Sequence, residues 1–129
     1  MKRKVFIISI FFVIIILTSY MIKVNSKSGI LISFYNETST NIEDLKIGFS
    51  NESRMTVVPT IIPNNKISLK LNQNKDFVEG AVILKYYDVN KKEHQETVIG
   101  YVEKGKSIHS RVYIKAIDNN GIIEFSIKE

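Results

Sequence analysis

The chain has 129 residues, room for one domain, and carries 18 Lys and Arg against 13 Asp and Glu, a formal charge of +5. Lys2, Arg3 and Lys4 supply three of those charges, and from Lys27 onward the balance is only +1. A nearly neutral domain behind a basic terminus argues against nucleic acid as the partner, because phosphate binding needs cations clustered on a folded surface. With no Cys in the chain, disulfides, thiolate metal sites and a Cys nucleophile are excluded as well.

Residues 1–4 read as a basic cytoplasmic end, and Val5–Ile22 (VFIISIFFVIIILTSYMI) follows without a charge. As a helix these 18 residues span about 27 Å, close to the roughly 30 Å of a hydrocarbon core. Two readings of the segment compete. In one it is a retained transmembrane anchor, with Tyr20 at the outer interface and no Ala-x-Ala-like cleavage triplet after it. In the other it is the apolar region of a signal peptide, with Val24-Asn25-Ser26 offering a small residue for cleavage. Weak cleavage chemistry favours the anchor. Either way the N-terminal cations stay in the cytoplasm and everything after the polar linker at 23–29 is exported.

Residues 30–129 read as an exported, all-β domain. Ile30, Ile32 and Phe34 alternate with Leu31, Ser33 and Tyr35, and Leu45, Ile47 and Phe49 with Lys46, Gly48 and Ser50; period-2 patterns of this kind mark half-buried strands. Arg54–Asn65, in which Pro59 and Pro63 bracket Thr60–Ile62, reads as an edge strand or an extended crossing between sheets. Lys66–Leu71 has one apolar and one polar face, and Ala81–Tyr87 suits a strand buried on both sides. A turn at Asp88–Lys92 returns the chain through Glu93–Tyr101, and Val102–Lys106 is read as a further hairpin connection. Ile108, Ser110, Val112, Ile114 and Ala116 then face inward, and the Asn120-Gly121 turn leads to Ile122–Lys128. About seven strands in a hundred residues predict an immunoglobulin-like antiparallel β-sandwich, without the Cys and Trp of antibody domains. A small barrel is the alternative.

Chemistry-bearing residues are few. A zinc site from His94, Glu96 and His109 needs a register that a turn near Glu103–Gly105 disfavours, so no metal site is expected and the histidines read as exposed strand positions. Ser107 and Ser110 lie on either side of His109, but Ser110, its immediate neighbour in the strand, points to the opposite face, and no nucleophile elbow, Ser-x-x-Lys or His-Glu-x-x-His is present. No catalytic residue and no cofactor are therefore expected. Gly100 reads as a bulge and Gly105 as a turn of positive φ. Tyrosine and arginine are enriched at protein-binding hot spots. On that ground Tyr86, Tyr101, Glu103, Lys104, Arg111 and Tyr113 are the candidate binding residues. The expected function is a membrane-anchored, non-catalytic module that positions a protein partner at a bacterial cell envelope. The competing expectation is a cleaved, secreted inhibitor or immunity-type protein, and neither implies a small-molecule substrate.

Overall fold

A computed structural model describes residues 29–129. The basic end, the apolar segment Val5–Ile22 and nearly all of the linker lie outside the described residues. Among the described residues no helix is long and apolar enough to cross a membrane.

The alternating segments form eight strands in two four-stranded sheets. One sheet has the order β4-β1-β7-β8, built from Lys66–Leu71, Ile30–Asn36, Ile108–Ile117 and Ile123–Lys128. The other has the order β3-β2-β5-β6, built from Thr56–Val57, Lys46–Phe49, Glu79–Tyr87 and Glu93–Glu103. Inward residues of both sheets meet in one apolar core: Ile30, Ile32, Phe34, Val112 and Ile114 from the first, and Ile47, Phe49, Val82 and Leu84 from the second. The apolar half of each alternation pattern supplies this core, and burying about 25 cal/mol per Å² of such surface is what holds the layers together. Val82, Ile83 and Leu84 are all buried, Val82 and Leu84 in the core between the sheets and Ile83 on the other face of β5, which lies between β2 and β6.

Several expectations change on contact with the tertiary structure. The sandwich is not wholly antiparallel, because β1 runs parallel to β7 along its whole length, Ile30 opposite Ile108 through Asn36 opposite Ile114. The chain visits the second sheet twice between these strands, so no hairpin constrains their relative direction. The eighth strand is the two-residue β3, within Arg54–Asn65 and just before Pro59; it forms the edge of its sheet. After it the chain crosses to β4, held midway by the Ile42–Ile61 bridge. Val102–Lys106 is not a hairpin connection, since β6 and β7 lie in different sheets; Gly105, at φ 79°, carries the chain from one layer to the other. A register shift between Ile114 and Ala116 reverses the alternation at the end of β7. Ala116 is consequently exposed, and Ile117 packs against the core in its place.

Gly100 falls where β6 has an extra residue relative to β5, between the pairs Val82–Ile99 and Gly80–Val102, so the bulge is present. Phe77, in the connection between β4 and β5, closes the adjoining end of the sandwich against Phe49, with ring centroids 4.6 Å apart.

Candidate functional site

The outward half of the β4-β1-β7-β8 alternation forms one continuous face. Register fixes its rows. Leu31 lies between Lys70 and His109, Ser33 between Ser68 and Arg111, and Tyr35 between Lys66 and Tyr113. Lys128 on β8 stands opposite Arg111, and Ser126 opposite Tyr113.

The Tyr35 and Tyr113 rings stack at the centre of the face, centroids 4.7 Å apart and planes 14° from parallel. Lys66 places its ammonium 5.1 Å from the Tyr35 centroid. Lys115 and Lys128 place theirs 5.2 and 5.4 Å from the Tyr113 centroid. These are cation–π distances, and the attraction between ammonium and ring face holds long side chains that would otherwise sample many rotamers. Below the stack, Ser33 is buried, and its hydroxyl is 2.8 Å from Ser68 Oγ and 3.0 Å from His109 Nε2. Glu37, just past the end of β1, pairs its carboxylate with the Lys115 ammonium.

This face concentrates charge. The described residues carry thirteen Lys and Arg against thirteen Asp and Glu, a formal balance of zero. Five of those cations, Lys66, Lys70, Arg111, Lys115 and Lys128, share the outer face with only Glu37 and Glu124. The rest of the domain therefore holds eight cations against eleven acids. Near-neutrality of the whole hides a polarised distribution, and the field of a charged surface depends on that distribution and not on the sum.

The six residues singled out from sequence fall in three places. Arg111 and Tyr113 belong to the face just described. Tyr86 belongs to the core: it is 4% exposed, stacks on His94 at 5.1 Å, meets the edge of Phe125, and its hydroxyl accepts the Ile123 N–H at 3.1 Å. A side chain so enclosed is not a contact residue, and that expectation is withdrawn. Tyr101, Glu103 and Lys104 lie together at one end of the other sheet. There Tyr101 donates a 2.8 Å hydrogen bond to Glu79, Gln73 bridges the Glu103 carbonyl and the Gly105 N–H, and Lys104 donates to the Val78 and Lys75 carbonyls. The hydrogen bond to Glu79, then burial and the two neighbouring carboxylates, push the Tyr101 hydroxyl up to about 12. These bonds tie two loops together, which is work inside the fold.

Sequence reasoning missed Tyr35, Lys66, Lys115 and Lys128 as members of the site. Each sits on the polar side of a strand alternation, so its outward direction was readable, but its neighbours were not. The histidines also separate. His109 faces outward from the first sheet. His94, on the second, is half-buried and not exposed as expected, with Nε2 2.9 Å from the Asp88 carboxylate. That bond, and backbone N–H groups of the Asp88–Lys92 turn, hold the Asp88 carboxyl below its usual range. On the far side of the same sheet, hydrogen bonds from Lys85 and Tyr87 lower the Glu93 carboxyl. Among the described residues no three His, Asp or Glu side chains converge as a metal ion would require.

Comparison with known proteins yields little to set beside this geometry. No family model matches the chain, and no curated protein matches it. A solved structure described as the NMR structure of a protein from Eubacterium rectale is similar over 77% of this chain and 87% of that one, at 15% sequence identity and a TM-score of 0.47.

Proposed function

We propose that the chain is a non-catalytic binding module held at the outer side of a membrane, immunoglobulin-like in size and layering, that docks a protein partner on the outer face of the β4-β1-β7-β8 sheet. The observation that carries the reading is the grouping of five cations on the sheet face that holds the Tyr35–Tyr113 stack, three of them at the rings, in a domain with no net charge. Pre-positioned cations raise association rates and select partners by complementarity, and rigid tyrosines add contact area at low entropic cost. The uncharged segment Val5–Ile22 supports attachment to the bilayer, which raises the local concentration of the module so that modest contacts suffice. The same face would serve a released domain if the leader is cleaved. Intact mass of the exported protein separates the two, since cleavage removes about 19–26 residues.

Site-specific photo-cross-linking in cells tests the docking reading. A photoreactive residue in place of Ser126, beside Tyr113, should give one discrete adduct, and one in place of Asn90, in the β5–β6 turn, should give none. Absence of any adduct from the Ser126 position, with the protein folded and exported, refutes the reading.

A further inference from the structure

We propose that the ligand of this face is an extended, carboxylate-rich polypeptide segment lying along β1 between two rails of cations; the inference rests on the docking reading above and specifies its partner. The rails follow from register. Lys66 and Lys70 are four residues apart on β4, and Arg111 and Lys115 are four apart on β7, with β1 between them. Four residues of strand cover about 13 Å, and the two flanking strands lie roughly 10 Å apart. Along the floor the β1 side chains are Leu31, the buried Ser33 and Tyr35. An extended polypeptide repeats its same-side groups every ~6.7 Å, so carboxylates at i and i+4 match the spacing of either rail.

The chemistry of the face narrows the ligand further. One ring face of Tyr35 is turned to Tyr113 and the other is capped by Lys66; Tyr113 is likewise capped by Lys115 and Lys128. No ring face is left for a sugar to stack on. What remains outward is ammonium, guanidinium, hydroxyl and the positive ring edges, a surface of donors that calls for acceptors. Lys66 and Lys128 stand at opposite ends of the stack with two rings between them, so a single phosphate cannot bridge them. Separate carboxylates can meet them one by one. Glu37 already shows the mode, its carboxylate reaching across from the end of β1 to the Lys115 ammonium.

The test uses the full chain in neutral detergent micelles and fluorescence anisotropy. The probe is a labelled ten-residue peptide of alternating Glu and Thr, with a Gln-Thr peptide as control and inorganic polyphosphate as the rival anion. The Glu-Thr peptide should bind at least about tenfold more tightly than the Gln-Thr peptide and weaken as salt rises from about 50 to 300 mM. Lys66→Glu and Lys128→Glu should each weaken it severalfold, whereas the double substitution Lys91→Glu, Lys92→Glu, in the turn of the other sheet, should leave it unchanged. Equal binding of the Gln-Thr peptide, or equal loss in the Lys91/Lys92 variant, overturns the proposal. Polyphosphate binding as tightly as the peptide, with the same dependence on Lys66 and Lys128, assigns the face to phosphate polymers and overturns it too. A cellular adduct whose captured stretch carries no acidic run overturns this inference while leaving the docking reading intact.

Discussion

Replacing Asn36 with Asp should destabilise the domain in a pH-dependent way that a replacement with Ala does not share. Asn36 ends β1 with 1% exposure. Its Nδ2 donates at 2.8 Å to the carbonyls of both Thr40 and Ile61, and its Oδ1 accepts the N–H and hydroxyl of Thr38 at 2.9 and 2.7 Å. One side chain thus joins β1, the turn after it and the segment crossing between sheets. Ala removes all four bonds and leaves a buried acceptor short of a donor, a loss of about 2–3 kcal/mol. Asp keeps the shape but, when ionised, sets an anionic oxygen against two carbonyl oxygens, at a cost of about 3–4 kcal/mol near pH 7. That repulsion raises the carboxyl pKa in the folded state above the unfolded value near 3.9. The protonated form is then favoured by folding, so the penalty is smallest below about pH 4 and grows by about 1.4 kcal/mol per pH unit until the folded pKa is passed. Urea unfolding of the 29–129 fragment at pH 3, 5 and 7, followed by near-ultraviolet circular dichroism, reads both variants against the parent. An Asp penalty that is flat across this range, or an Ala penalty below about 0.5 kcal/mol, would refute the assignment of Asn36 as a buried hub.

Three shorter tests bear on other parts of the structure. Tyr86→Phe removes the acceptor of the Ile123 N–H and should lower stability by about 1–2 kcal/mol in urea unfolding while leaving Ser126 cross-linking unchanged. Tyr101 holds its proton up to about 12, so its contribution to stability is complete below the unfolded value near 10 and fades as pH rises through 12; in a spectrophotometric titration, Tyr101→Phe should remove one tyrosine ionisation from the region near pH 12. Gly105 and Gly121 share φ near 80°, yet a Cβ at Gly105 meets nothing within 4 Å whereas one at Gly121 comes within 3.1 Å of the Val89 nitrogen. Gly105→Ala should therefore cost about 1 kcal/mol and Gly121→Ala clearly more, as thermal denaturation of the fragment can measure.

Much of the fold is legible in the alternation of β1 and β4 and in the Asp88 and Asp118 turns, because side-chain period and turn chemistry are local properties. The paired prolines correctly mark the crossing out of the second sheet. Phe77 and Asn36 escape such reading. Phe77 belongs to a loop with no period to place it, and Asn36 looks like an ordinary turn residue until the Ile61 carbonyl arrives from 25 positions away. The reversal at Ala116 also has no local signal, since a bulge is defined only against the partner strand.

The candidate face divides in the same way. That Tyr35, Lys66, Arg111, Tyr113 and Lys128 point outward follows from the strands they occupy. That Tyr35 stacks on Tyr113, and that Lys66 and Lys128 cap the two ends, depends on β1 lying between β4 and β7 with β8 beyond.

The amino-acid sequence on its own settled that residues 30–129 are built of strands and which side of most of them meets the core. Only the tertiary structure decided that β1 and β7 run parallel, that β6 and β7 lie in different layers, that Tyr86 is enclosed, and that a neutral domain sets five cations against two acids on one face. The reason is that alternation sets the direction of each side chain, whereas neighbours in a sheet are chosen by pairing between segments as far apart as Ile30 and Ile108, where the cheapest way to bury all the apolar faces at once prevails.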